Sequence, residues 1–137
     1  MALEAVLLTE LEPAVPFTVA DGVGIEKGAL LLLTDPMTVA TTTGDTDEII
    51  GIAAEEKIAS DGKTTLGVYL RGIFKGFAGA AGTTAGLAII SDTATGAANE
   101  LVVADVNSEA IVGISLETAT DGQSFKFLLQ PINVNLA

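Results

Sequence analysis

The body of this sequence is written twice. Ile25-Glu26-Lys27-Gly28 and the apolar run Ala29 to Leu33 return further on, degraded, as Thr83-Thr84-Ala85-Gly86 and Leu87 to Ile90. Ile50-Gly51-Ile52 with Glu56 behind it returns as Val112-Gly113-Ile114 with Glu117, and Asp61-Gly62 with Thr65 to Leu70 returns as Asp121-Gly122 with Ser124 to Leu129. These three landmarks keep their order at nearly constant offset. Each half is too short to bury a good core alone, so the two are expected to close on one another as one compact unit.

Residue types say what the halves are made of. Of the 137 residues, 49% are hydrophobic, yet only five are Phe and one is Tyr, so the core rests on Ala, Val, Ile and Leu. β-Branched residues punctuated by glycine favour short strands and tight turns. The fold class expected is all-β, a compact β-barrel or β-sandwich of two pseudo-repeated halves, with at most one short helix. Strands are expected at Phe17 to Ala20, Ala29 to Thr34, Met37 to Thr41, Glu48 to Ala54 and Thr65 to Phe74, then at Leu87 to Ser91, Glu100 to Ala104, Ala110 to Leu116 and Ser124 to Pro131. Gly51 inside a strand predicts a bulge or a close backbone approach. Asp61-Gly62 is the strongest turn signal, and Asp121-Gly122 reads as a hairpin turn. Gly76 to Gly86 is a small-residue stretch that reads as the turn-rich join, placing the halves at about 17–75 and 76–134 of a single β-domain spanning 17–137.

Residues 1–16 read as a separate arm. Pro13 and Pro16 favour extended backbone and oppose a helix. Leu3, Val6, Leu7, Leu8 and Leu11 would be a liability if left exposed, so a partner or the body itself is expected to cover them. Removing residues 1–16 is expected to leave the body folded.

Charge and missing residue types exclude most chemistry. The formal charge is −12, from 18 acidic and six basic residues, and Lys27, Lys57, Lys63, Arg71, Lys75 and Lys126 are scattered singly. Neither nucleic acid nor anionic lipid finds a cationic footprint there. The sequence has no Cys and no His, which removes thiolate metal sites and the common nucleophile–base pairs. Glu4 precedes the apolar patch Ala5 to Leu8 and no basic residue does, which argues against a secretory signal; Glu10 and Glu12 end the apolar run well short of a membrane span. Gly44-Asp45-Thr46-Asp47-Glu48 resembles only a fragment of a calcium loop, and a solvated loop is expected. Ser60 and Lys63 flank a turn, where nothing would activate a serine. No catalytic, metal or cofactor site is expected. Phe74 and Phe77, with Ile73 nearby, form the densest aromatic cluster; core packing explains it first, an intersubunit contact second.

Several segments together resemble a family. The run Ala20-Asp21-Gly22-Val23-Gly24-Ile25-Glu26-Lys27-Gly28-Ala29-Leu30-Leu31, the segment Ile49 to Glu55, Gly72, and Asp121-Gly122-Gln123-Ser124 resemble small tailed-phage capsid decoration (cement) proteins, similar in role to the lambda-type head-stabilising protein. The resemblance covers roughly Phe17 to Leu129. It implies a β-tulip-like fold and a homotrimer on the capsid exterior at three-fold sites, bridging neighbouring major capsid subunits, in a protein made in the host cytoplasm. It carries no catalytic residues and no cofactor. The arm would then supply the capsid contacts through Leu3, Val6, Leu7, Leu8, Leu11, Val15 and Phe17, and Arg71, Ile73, Phe74 and Phe77 would line the trimer interface.

Three other readings stay open from the residues. Another virion or surface β-module, such as a spike base or a glycan-binding unit, could use loops like Thr41-Thr42-Thr43, although aromatic platforms for sugars are scarce. Gly22 to Leu32 faintly resembles biotinyl and lipoyl carrier domains, but the join Gly76 to Gly86 has no lysine to modify. A carboxylate-dependent hydrolase has only scattered acids to work with.

Overall fold

The computed structural model describes residues 3–42, 48–92, 99–104 and 110–133. Eleven strands and no helix lie among them: β1 (Val6–Glu10), β2 (Val15–Thr18), β3 (Leu30–Asp35), β4 (Thr38–Thr41), β5 (Ile49–Ala53), β6 (Thr65–Tyr69), β7 (Gly72–Ala78), β8 (Ala88–Ser91), β9 (Glu100–Val103), β10 (Ala110–Ser115) and β11 (Ser124–Asn133). The first half closes into a barrel in the order β2-β4-β3-β5-β6. The second half repeats that circuit as β7-β9-β8-β10-β11, again with one parallel contact, β7 with β9 matching β2 with β4. The fold is all-β and built of two halves, as the repeated landmarks imply.

The correspondence extends to single hydrogen bonds. Ile25 and Lys57 exchange backbone bonds across a bridge in the first half, and Thr83 and Ala119 do so in the second. Gly28 (φ 91°) and Gly86 (φ 89°) occupy matching left-handed turns, which only glycine adopts without strain. Met37 and Asn99, each the residue before the matching strands β4 and β9, also have positive φ. Gly51 and Gly113 sit where a Cβ would overlap the carbonyl oxygens of Tyr69 and Leu128 respectively. The pairings through these strands also shift register, between Leu31 and Leu32 on β3 and between Ile111 and Gly113 on β10. The glycines are therefore fixed by backbone crowding at bulges, which re-aim the strands.

Strand alternation sends side chains into two cores. Leu31, Val39, Ala53, Leu66 and Val68, with Phe17, fill the first barrel. Leu30, Ile49 and Ile52, on the opposite faces of the same strands, join Phe74, Val112, Phe125, Phe127 and Leu129 of the second half in a second core. Leu30 and Leu31 are both wholly buried although they point opposite ways, which explains the unbroken apolar run in β3. Leu30 N–H donates to Asn99 Oδ1 across the seam at 2.9 Å.

Three expectations are corrected. The expected arm at 1–16 is, over its described residues 3–16, not separate: Ala5 is part of the second core, β1 pairs antiparallel with β7, and Val15, Pro16 and Phe17 lie in β2, paired with β6. A cut after residue 16 therefore falls inside a barrel strand. Thr65 to Phe74 is not one strand, because the chain breaks between Tyr69 and Gly72 to pass from one barrel to the other. Gly76 to Gly86 is not all loop either. Gly76, Phe77 and Ala78 continue β7, and Gly76 lacks a side chain because the Phe127 ring lies 2.8 Å from where its Cβ would stand. The join between halves thus lies at Leu70–Arg71. The acidic run at 44–48 falls largely outside the described residues.

Gly51→Ala and Gly113→Ala should each lower unfolding free energy by about 1–3 kcal/mol through overpacking against backbone. Gly22→Ala, with nothing within 4 Å of the added methyl, should change it by less than about 0.5 kcal/mol. Denaturant titration of the three variants checks this.

Candidate interaction surface

A closed barrel keeps little strand edge, and among the described residues it is left only along the parallel contacts, where β2 meets β4 at Thr18 and β7 meets β9 at Phe77 and Ala78. β1 adds another. It pairs with β7 along Val6 to Glu10, taking the stretch of that edge which β9 leaves uncovered, and its other side has no strand partner among the described residues. Leu8 falls in a register shift between Leu7 and Thr9. Val6 (53% exposed) and Leu8 (45%) face solvent, as does Leu11 (48%) beyond the strand, while Leu7 turns inward onto the core.

The segment before β1 is stapled to the first barrel. Ala5 N–H donates to the Gly28 carbonyl at 2.9 Å, and a Cβ on Gly28 would collide with the Ala5 carbonyl oxygen. Beside this staple lies an apolar cleft of about 700 Å³, walled by the N-terminal segment and by Gly28, Ala53, Tyr69, Phe74 and Phe77 of both halves. Lys27 and Glu4 also line it, and one Glu4 carboxylate oxygen is buried without a hydrogen-bond partner. The cleft offers apolar contact and two charges of opposite sign. Among the described residues, no group of three His, Cys, Asp or Glu side chains is placed to hold a metal ion.

The expected contact residues divide by burial. Val6, Leu8 and Leu11 are exposed, Leu3 and Leu7 half-buried at the cleft, and Val15 half-buried against the first core. Phe17 is 6% exposed inside the first barrel and Phe74 1% inside the second, where its ring stacks on Phe127 and meets Tyr69 edge-on, both at 5.9 Å between centroids. Neither can reach a partner, because each fills a core that the small aliphatic residues leave short of volume. Ile73 and Phe77 lie half-buried on the outward side of β7, and Arg71 is exposed, its Nε 3.9 Å from Glu12 Oε1. Ser60 is exposed, and Lys63 pairs with Glu55 instead of with it.

Sequence reasoning missed Lys57. It is 1% exposed, yet its ammonium donates to Asp61 Oδ1 at 2.7 Å, Ile58 O at 2.8 Å, and both Asp21 O and Asp21 Oδ1 at 2.9 Å. The carboxylates are held in turn by the backbone N–H groups of Gly62 and Lys63. The β2–β3 and β5–β6 connections are thus clipped together, sealing one end of the first barrel. Burial works against the ammonium, but the hydrogen bonds to Asp61 and Asp21 and their charges outweigh it and hold Lys57 above the ordinary lysine range. Asp61 is held below the ordinary carboxylate range by its bond from Lys57 and the Lys63 N–H. The one available signal was the pair of Asp-Gly turns, at Asp21-Gly22 and Asp61-Gly62, the second only four residues beyond Lys57.

Family models and curated proteins were compared with the sequence, and none matches.

Lys57→Met deprives two carboxylates and two carbonyls of their ammonium donor, so it should lower the melting temperature well beyond Lys63→Met, whose pair is solvent-exposed. The clip also predicts a pH profile. Asp61 titrates lower in the folded than the unfolded chain, so its contribution is full above about pH 4 and is lost as pH falls through the folded value. Lys57 titrates higher when folded, so its contribution is full below about pH 10 and is lost as pH rises past the folded value. Thermal melts from about pH 2 to about pH 11 should show both losses in the native chain; in Lys57→Met the alkaline loss should disappear and the acid loss should shrink to what the Lys63 N–H still contributes at Asp61.

Proposed function

We propose that this chain is a capsid decoration protein: a homotrimer that attaches to the exterior of a tailed-phage head at three-fold sites and stabilises the shell by bridging major capsid subunits. The observation that carries this reading is the open strand edge at β1, lined by exposed Val6 and Leu8, on a frame whose other strands close into barrels. Such an edge accepts an extended segment from another protein through main-chain hydrogen bonds, with alternate side chains setting register. Covering the exposed parts of Val6, Leu8 and Leu11 would contribute roughly 1 kcal/mol each before ordering costs. A clamp needs a rigid scaffold and apolar area, and it needs no reactive group. The resemblance in the turn-and-strand segments supports the same reading.

The acidic surface adds a condition. Each copy brings a formal charge of −12, so three copies at one site repel until salt screens them. The test is co-sedimentation with expanded shells assembled from the major capsid protein of the same genome. The native chain should attach, and its occupancy should rise from low to moderate ionic strength. Val6→Asp with Leu8→Asp should lower occupancy at least about tenfold while leaving the melt unchanged, since both side chains are exposed. A native chain that leaves those shells bare, or a doubly substituted one that coats them equally well, would overturn the reading.

A further inference from the structure

The repeat leaves a second surface. In the first barrel the outward row Leu30–Ile52–Tyr69 runs across β3, β5 and β6 and is covered by the second half. The matching row of the second barrel runs Ala88–Ile114–Leu128 across β8, β10 and β11 and continues through Ile73 of β7 to Thr9 of β1. No described residue covers it. Ile114 is 38% exposed, Leu116 and Leu87 beside it 45% and 49%, and Leu128 and Ile73 are only half-buried. An apolar stripe across four strands on the outside of a barrel, where alternation should place polar residues, is an interface pattern. Gly86 agrees with this: its counterpart Gly28 lies under Ala5, whereas Gly86 has nothing within 4 Å of a Cβ position.

The other side of the internal seam is also duplicated. Asn99, ahead of β9, receives the Leu30 N–H from the first barrel. Its counterpart in the first barrel is Met37, ahead of β4, with the same left-handed backbone; Met37 is 55% exposed and Leu33 beside it 46%. The outward row covered at the seam and the turn that meets the seam through Asn99 therefore each recur, uncovered and apolar, at opposite ends of one chain. Charge agrees as well. Lys75 and Lys126 stand directly opposite each other on β7 and β11, an arrangement that costs energy unless an anion faces it, and exposed Asp35 adjoins Met37.

We propose that the row Ala88–Ile114–Leu128–Ile73 binds a second copy of this chain, seated against the Leu33/Met37 hairpin tip of that copy's first barrel. The contact is heterologous, joining different surfaces of two copies, so it propagates head to tail and closes as a ring when the rotation permits. Three copies would make a ring of six similar barrels. The inference goes beyond the decoration reading, on which it rests only for the number three.

Sedimentation velocity of the full chain without any capsid tests it. The native chain at tens of micromolar should sediment as a closed oligomer. Ile114→Lys and Met37→Glu should each raise the dissociation constant about thirtyfold or more, yielding single chains, while Ile58→Lys at the clipped end leaves the oligomer intact. Combining Ile114→Lys with Met37→Glu in one chain should restore association, because the new lysine faces the new glutamate of its neighbour. Melting curves of these variants and of Ile114→Ser and Met37→Ser separate lost association from lost folding. Three results would overturn the proposal: a native chain that sediments singly, an Ile114→Lys or Met37→Glu chain that keeps the native mass, or a double substitution that stays dissociated. Bare shells beside an intact oligomer would sink the decoration reading and leave this interface standing.

Discussion

The double use of β3 and β5 holds this molecule together. In each strand, one set of alternate residues fills the first barrel and the other forms the seam: Leu31 and Ala53 look inward, Leu30 and Ile52 outward. A small barrel of aliphatic residues has too little interior to be stable alone. Packing its outer wall on a neighbour doubles the apolar area removed from water along the same strands. The halves are therefore one cooperative unit despite their separate hydrogen-bond circuits, and the Leu30–Asn99 bond fixes their relative position.

The two copies of the plan solve one packing problem with different residues. Val15, Leu66 and Val68 of the first barrel correspond by register to Phe74, Phe125 and Phe127 of the second, so the second is filled by stacked rings. Phe17 corresponds to Gly76: an aromatic side chain leaves β7 where three others enter, keeping volume in balance. The ends diverge as well. Lys57 clips the first barrel with buried charge, whereas its counterpart Ala119 seals the second with a methyl group. A buried ammonium with fully hydrogen-bonded partners fixes geometry more than it adds stability, which suits an end built from two long connections.

The architecture was legible where one physical cause dominated. Gly28 and Gly86 mark left-handed turns, Gly51 and Gly113 mark backbone crowding, and both pairs stand out in the sequence because no other residue fits. What was hidden depended on distant contacts. Gly76 reads as loop, because only the Phe127 ring across the sheet explains a glycine inside a strand. Residues 1–16 read as an arm, because their pairing partners lie in β6 and β7, far along the chain. Lys57 reads as one surface lysine among several, because its carboxylates converge only after the barrel closes. Among the expected contact residues, hydrophobicity alone could not separate exposed Val6 and Leu8 from buried Phe17 and Phe74.

Surface follows from the same frame. Closing two barrels removes most of their sheet edge, so binding falls to features that the closure leaves over. Among the described residues those are the β1 edge, the outward row of the second barrel, and the hairpin tip of the first. The first lies beside the cleft that the N-terminal segment shares with both halves, the second duplicates the row covered within the chain, and the third stands where Asn99 meets that seam in the other half. A tandem repeat with one internal contact always leaves one unmatched donor face and one unmatched acceptor. Evolution can cover these with polar residues, as solenoid caps do, or let copies satisfy each other. Ile114, Leu116 and Met37 remain apolar and exposed in a chain carrying a formal charge of −12, where acidic replacements are abundant elsewhere on the surface. That retention favours mutual satisfaction over capping.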